Sequence, residues 1–509
     1  MAKYYVTTPI YYANDKPHIG HAYTTIAADV LARYHRLQGE ATWFLTGLDE
    51  HGAKVAAAAQ KAGLEPQAFV DQQAERFKLA WKNLDISFDD FIRTTEPRHV
   101  SGAQKFMSVL REKGALYQGK YQGLYCTGCE KFITEKELVN GFCPDHKRKP
   151  ELIEEENWFF KLSAYLPKIR QLIDRGEIKI WPATKRNEAL GLFDQELKDF
   201  SASRQKVSWG IPVPFDQKQT IYVWVDALSN YLTALDYEHD GKRYREFWPA
   251  DMQLMAKDIL KFHVIYWPAM LLAAGLPVPK NIFAHGFFTI NGEKMSKTVG
   301  NVIDSNDLVK KFGTDATRYL LLSQFPFGFD GDIQEGRFVE KYNAELANNL
   351  GNLVSRVLKM TQKFFGGQVP KTGRPDSELP LQNGKFSEFD SQYLWSQVKK
   401  HLEDQFEPFE CLTGILRFVN TLNTYVDRTA PWKLAKEGEK EELSAVMYDL
   451  LFSLQQLSGA LAPFLPGSAE KIKQALGGTS LTSIADCRKQ LGAGQPVADI
   501  KILFPRMEK

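Results

Sequence analysis

The first fifty residues constrain the fold most. "KYYVTTPIYY", residues 3 to 12, is rich in Tyr, Val, Thr and Ile and reads as a β-strand. "GHAYTTIAADVLARYHRLQG" comes next from about residue 20, with Ile26, Val30, Leu31 and Tyr34 at helical spacing and Gly39 as a stop. "ATWFLTGLDEHG" then reads as a second strand running into a loop. Strand, helix, strand is the unit of a parallel sheet with right-handed crossovers. In such sheets ligands bind beyond the carboxyl ends of the strands. Two segments fall there: "PHIGHAY", with His18 and His21 around Gly20, and "GLDEHG".

Imidazoles three apart at a helix start suit an anion. A helix beginning near Gly20 presents free N–H groups and a positive dipole end to the loop, and both histidines can donate to phosphate oxygens. Gly20 would let a ligand approach the backbone closely. Taken alone, the pair fits two satisfied surface or cap histidines better than an anion site. A second basic pair, Lys294 and Lys297, lies in "NGEKMSKT" on a Gly-flanked loop. Two point charges there suit a clamp on a developing pyrophosphate, or a solvated turn.

Further along, parallel-sheet signals return in "QTIYVWVDALSNY", "MQLMAKDILKFHVIYWPAMLLAAG" and "NIFAHGFFTINGEKMSKTVGN". Between them and the opening, residues 117 to 160 are short, Gly-rich and cysteine-bearing, like an inserted small domain. From about residue 340 almost everything reads helical, except 366 to 386, which is Pro- and Gly-rich and reads as a loop. The partition expected is 1–115 and 206–290 for two halves of a parallel sheet, 116–205 for the insertion, 291–340 for the lysine loop and the segment after it, and 341–509 for a helical domain.

Of five cysteines, three lie between 126 and 143. A clustered, odd set argues for a metal site in a reducing compartment and against a disulfide framework. The spacing Cys126-x2-Cys129-x13-Cys143-x2-His146 offers a tetrahedral Cys3His set of the structural zinc kind. No apolar run reaches the about 18 residues of a membrane span, and no signal peptide opens the chain. With 64 basic and 62 acidic residues, bulk charge gives no reason to expect nucleic-acid binding. Any basic surface must be local, and nothing points to DNA.

Taken together, "HIGH" after the first strand and "KMSKT" later resemble the signatures of the class I aminoacyl-tRNA synthetases. Thr298 stands where the family carries a serine, and the hydroxyl is kept. The resemblance narrows to the methionyl branch through "TTPIYYANDKPHIGHAYTT", "FLTGLDEHG", "YCTGCEKF", "YVWVDALSNY", "KDILKFHVIYWPAMLLAAG", "HGFFTINGEKMSKT" and "APWKLAK". It implies an α/β fold: a Rossmann-like parallel sheet with an inserted zinc-knuckle domain and a C-terminal helical bundle. It also implies activation of methionine by ATP with Mg²⁺, then transfer to the 3′ end of methionine tRNA, initiator and elongator alike.

By the same resemblance His18, Gly20, His21, Lys294 and Lys297 handle the ATP phosphates, with Lys257 and Asp258 near the nucleotide. Asp49 receives the substrate ammonium. Ile10, Tyr12, Trp224, Leu228, Tyr231, Phe262, His263 and Tyr266 line the methionine pocket, Leu228 replacing the proline of some relatives. Aromatic edges around a thioether make physical sense. The zinc is implied to be single and structural. Asn352, Arg356, Pro431 and Trp432 are implied to meet the anticodon, the indole as a stacking platform. A cytoplasmic monomer is the expectation.

Three other readings stay open at this level. One is a related synthetase for cysteine or another small apolar amino acid; a cysteinyl enzyme would grip its thiol with zinc in the active site, whereas the clustered ligands here lie in the insertion. A synthetase-derived RNA-binding protein without activity would not need both signatures. A nucleotidylyltransferase would share the His-x-Gly-His loop but not the long helical region.

Overall fold

A computed structural model describes residues 2–126, 131–133, 135–144, 147–295, 301–371, 391–478 and 483–508. The opening has the expected order: strand β1 (Lys3–Tyr12), helix α1 (Ile19–Leu37) and strand β2 (Ala41–Asp49). Strand β3 (Asp90–Arg93) and helix α2 (Pro97–Glu112) come next. Strands β4 (Leu116–Cys126) and β5 (Glu151–Phe160) pair antiparallel from Leu116↔Phe160 to Tyr125↔Glu151, forming the inserted sheet. Strand β6 (Lys179–Trp181), helix α3 (Val223–Thr233), strand β7 (Met252–Ala256), helix α4 (Trp267–Ala274) and strand β8 (Asn281–His285) complete the parallel-sheet part.

Six of these strands form one sheet in the order β3-β2-β1-β7-β8-β6, and every pairing in it is parallel. Strand order reverses between β1 and β7. The loops leaving them part to opposite sides there and open a crevice at their carboxyl ends. Within 116–205, β6 pairs with β8 at the edge of this main sheet, so that stretch is shared between the inserted sheet and the main one.

Local chemistry explains the shape of the crevice. Pairing of β1 with β2 shifts register between Thr7 and Ile10, where Pro9 has no N–H to offer the ladder. The Thr8 hydroxyl bridges to the Thr46 hydroxyl at 2.8 Å instead. Beyond the bulge, Ile10 and Tyr12 line the crevice. Gly47 is needed in β2 because a Cβ there would sit 2.1 Å from the Ile92 carbonyl oxygen of β3.

Helix α5 (Thr314–Leu322) joins this part to the C-terminal helices. Those used below are α6 (Asn352–Phe365), α7 (Pro408–Thr429), α8 (Pro431–Glu437), α9 (Lys440–Leu461) and α10 (Pro466–Ala475). Arg318 of α5 is fully buried and bonds Asp29 of α1 at 2.7 Å. Its remaining N–H groups donate to the carbonyls of Phe464 and Pro463 at 2.8 Å and of Leu84 at 3.1 Å. Asp315 accepts from Gly467 and Ser468 N–H at the start of α10. One side of α5 thus holds the helical domain and the other the histidine-bearing helix. Of the loop expected at 366–386, residues from 372 onward lie outside the described ones. No described helix is long and apolar enough to cross a membrane.

Candidate active site

A cavity of about 680 Å³ lies in the crevice. That is the size of a small-ligand site. Of the residues anticipated from sequence, it is lined by Ile10, Tyr12, His18, Gly20, His21, Asp49, Trp224, Leu228, Tyr231, Lys257, Asp258 and His263.

His18 caps α1 and does so reciprocally with His21. The Gly20 N–H donates to His18 Nδ1 at 3.1 Å, and the His18 N–H donates to His21 Nδ1 at 3.3 Å. An Nδ1 that accepts carries a lone pair, so each neutral ring holds its proton on Nε2. The rings stack with centroids 3.8 Å apart. Burial, with a smaller contribution from His18, pushes the His21 pKa well down and keeps that ring uncharged. Tyr11 and Phe77 flank it.

One expectation changes here. The first N–H groups of α1 are not free for an anion: Ile19 N–H donates to the Ile303 carbonyl at 3.1 Å and Gly20 N–H is taken by His18. The tautomer leaves each imidazole with an Nε2–H donor. Gly20 lines the cavity and also makes room for the His18 ring, because a Cβ would sit 2.9 Å from His18 Cε1.

The lysine segment is described only at its borders. Met295 lines the cavity, with its Cε 3.5 Å from where a Gly20 Cβ would be. Ile303 docks on the first turn of α1. The Lys294 side chain and Lys297 lie outside the described residues.

Across the cavity, Asp49 is 4 % exposed at the carboxyl end of β2. Trp224, Leu228 and Tyr231 project from α3 on the other side. Residues Phe262–Tyr266 form a π-helical turn. This turn brings His263 to the cavity but places Phe262 behind Trp224, their rings stacked at 3.6 Å. Tyr266 stands further back, against Phe262 and Phe200. Phe262 and Tyr266 therefore support the wall and do not line it. His263 Nδ1–H donates to the Ile259 carbonyl at 3.0 Å, so its Nε2 accepts the Tyr231 hydroxyl proton at 2.8 Å. Burial holds His263 down to about 4 and raises Tyr231, so the pair is neutral.

Sequence reading missed several lining residues. Lys54 places its ammonium 4.3 Å from the Tyr12 ring centroid. Asp330 accepts from Lys257 Nζ at 2.6 Å; burial alone would raise its carboxyl, but this lysine and the Phe287 N–H hold it low. His285, at the end of β8, donates Nδ1–H to the Gly286 carbonyl and accepts the Thr24 hydroxyl at 2.6 Å. Burial pushes His285 down to about 4. "AHGFF" after a strand was the available signal for His285; Asp330 had none, lying far from Lys257 in sequence.

In the inserted sheet, Cys126 and Cys143 are buried and share a small apolar cluster with Ile133. The Cys143 N–H donates to the Arg148 carbonyl at 2.9 Å, and its carbonyl accepts from the Lys147 N–H at 2.8 Å. Cys129 and His146 lie outside the described residues. Among the described residues no cluster of three metal-ligating side chains occurs.

In the helical domain Asn352 is exposed at the start of α6. Arg356, one turn on, bonds Asp427 at 2.7 Å and lies 5.9 Å from the Trp432 ring centroid. Trp432 is 43 % exposed. Pro431 is buried as the first residue of α8, so it positions the indole without presenting a surface of its own.

A parallel sheet whose strand-order reversal opens onto an imidazole-capped helix defines a nucleotide-handling α/β enzyme. In agreement, the family model described as "tRNA synthetases class I (M)" matches residues 4–149 and 136–358. The methionine–tRNA ligase of Caldanaerobacter subterraneus is 44% identical, covering 99% of this chain and 79% of its own. That of Streptomyces coelicolor is 41% identical, covering 99% and 97%. A solved structure, Mycobacterium tuberculosis methionyl-tRNA synthetase in complex with methionyl-adenylate, superposes with a TM-score of 0.93 at 37% identity over 99% of this chain and 100% of that one. Within the class I tRNA synthetases, the chain belongs to the methionine–tRNA ligase family.

Proposed function

We propose a residue-level assignment for the reaction, whose overall course is that of the family. The chain is an ATP-dependent ligase that activates methionine and charges tRNA. A methionine carboxylate oxygen attacks the α-phosphorus of ATP, the bond to the β-phosphate bridging oxygen breaks, and pyrophosphate leaves. A ribose hydroxyl of the tRNA 3′-terminal adenosine then attacks the methionyl carbonyl. It loses its proton as AMP leaves.

Asp49 takes the substrate ammonium. Ile10, Tyr12, Trp224, Leu228 and Tyr231 surround the thioether. The Nε2–H groups of His18 and His21 donate to phosphate oxygens as charge builds there, joined by Lys294 and Lys297. Lys257 and Asp258 face the nucleotide, and Mg²⁺ accompanies ATP. No covalent enzyme intermediate is needed; positioning and charge carry the rate. The observation that supports this most is that one cavity is lined by His18 and His21, by Asp49, and by the Trp224–Tyr231 wall.

Asp49→Asn tests the ammonium site. A lost charge-assisted bond of about 1.5–3 kcal/mol raises the methionine KM by about 10- to 150-fold and leaves the ATP KM alone. An unchanged methionine KM would contradict the assignment.

Cys126, Cys129, Cys143 and His146 are proposed to hold one structural zinc. Two thiols buried in one small cluster, with the backbone of the second bonded to Lys147 and Arg148, fit such a site. Elemental analysis should find close to one zinc per chain; its absence from folded protein would refute the site. The exposed Trp432, with Asn352 and Arg356 near it, is proposed to meet the anticodon of initiator and elongator methionine tRNAs. A cytoplasmic monomer organised as 1–115, 116–205, 206–290, 291–340 and 341–509 completes the reading.

A further inference from the structure

Asp226 takes no part in this chemistry, yet its side chain is fully buried. Its Oδ2 accepts from His51 Nδ1 at 2.8 Å and its Oδ1 from His99 Nε2 at 2.7 Å. The far side of His99 bonds the Thr233 hydroxyl at 2.8 Å. Burial alone would raise the carboxyl; His51 and His99 hold it below its ordinary value. Both carboxylate oxygens are therefore committed to imidazoles.

The chain positions of these groups matter. His51 lies two residues after Asp49. Asp226 lies between Trp224 and Leu228 on α3, and Thr233 ends that helix. His99 belongs to α2, which lines no part of the cavity. Helices α2 and α3 come together at Gly102, where a Cβ would sit 2.6 Å from Thr233 Cγ2. The carboxylate thus ties the strand end that carries the ammonium site to the helix that carries the thioether wall, with α2 as the brace.

We infer that the His51–Asp226–His99 clamp is a positioning device that sets the span between Asp49 and the Trp224–Tyr231 wall, and so the side-chain length the pocket accepts. The inference rests on methionine occupying the cavity as proposed above. One methylene is discriminated by only about 10- to 200-fold in an apolar pocket, and only if its walls hold still. A clamp built of two charge-assisted bonds to a fully buried carboxylate has the stiffness that task requires.

The test is ATP–pyrophosphate exchange by the full chain with methionine and with ethionine, one methylene longer. His99→Ala should raise the methionine KM about 5- to 10-fold, lower the methionine-to-ethionine preference at least 5-fold, and leave the ATP KM within 2-fold. His99→Gln, which restores an N–H donor, should recover most of the preference. Gly102→Ala, which pushes α2 from α3, should act in the same direction as His99→Ala. If these variants lower only the thermal midpoint and keep both the methionine KM and the preference, the cluster is plain core and the inference is overturned. Absence of methionine-dependent exchange in the parent chain would instead overturn the underlying pocket reading, and the inference with it.

Discussion

Replacing Gly20 by Ala separates stability from catalysis in this site. The added Cβ would lie 2.9 Å from His18 Cε1 and 3.0 Å from His18 Nδ1. Both are well inside ordinary contact, so the ring must move by about half an ångström or rotate away. Either movement weakens the 3.1 Å bond from Gly20 N–H that places the His18 proton on Nε2. A misplaced donor to a developing phosphate charge costs on the order of 100-fold in rate, about 2.7 kcal/mol. Backbone propensity pushes the other way: Gly20 lies in the first turn of α1, and Ala there favours the helix by up to about 1 kcal/mol. Rapid-quench measurement of adenylate formation should show the rate falling about 100-fold, with the methionine KM unchanged and the thermal midpoint level or higher. A rate within 3-fold of the parent would refute the assignment of His18 as a phosphate donor fixed by its own helix cap.

The remaining predictions concern buried groups and exposed ones. His263 and His285 are held down to about 4 in the fold, whereas unfolded histidine titrates near about 6.5. The unfolded chain therefore binds more protons in this window. Stability falls as pH drops from about 6.5 toward 4, by roughly 2 kcal/mol per histidine at pH 5; urea titrations at pH 7 and 5 with equal midpoints would contradict this. Arg318→Met removes one of the two arginines paired with the buried Asp29, which keeps Arg33 at 2.7 Å, and leaves the carbonyls of Phe464 and Pro463 without their donor, at a cost of about 1–3 kcal/mol for each unpaired carbonyl. Calorimetry should then resolve separate transitions for the catalytic and helical parts, and a single unshifted transition would count against the joint. Trp432→Ala removes a half-exposed indole remote from the cavity, so pyrophosphate exchange should stay within 2-fold while tRNA charging falls at least 10-fold. Equal loss of both steps would make Trp432 a packing residue.

The parallel-sheet opening was legible because its signals are local. Ten β-prone residues, a helical apolar stripe and a glycine stop each act within a few residues, and β1, α1 and β2 form where they read. The site was legible only as far as short motifs reach. Asp49 and Trp224 belong to such motifs and line the cavity. The phasing of the turn after "KDIL" was not: a π-helical turn there rotates Phe262 and Tyr266 behind the wall, which no periodicity of five residues could disclose. The cap geometry of His18 was hidden for a similar reason. Whether an N-terminal N–H faces a ligand or a neighbouring ring depends on a side-chain rotamer and on Ile303, a distant part of the chain. Long-range partnerships such as Lys257 with Asp330 and Asp29 with Arg318 exist only once the chain has folded.

The central claim is that this cavity activates methionine and no other amino acid. It is tested most directly by ATP–pyrophosphate exchange without tRNA, run separately with each of the twenty amino acids. Exchange with methionine alone is the predicted result, and it would establish the adenylation chemistry and the pocket together. Stronger exchange with another amino acid, or none with any from folded, zinc-replete protein, would contradict the account.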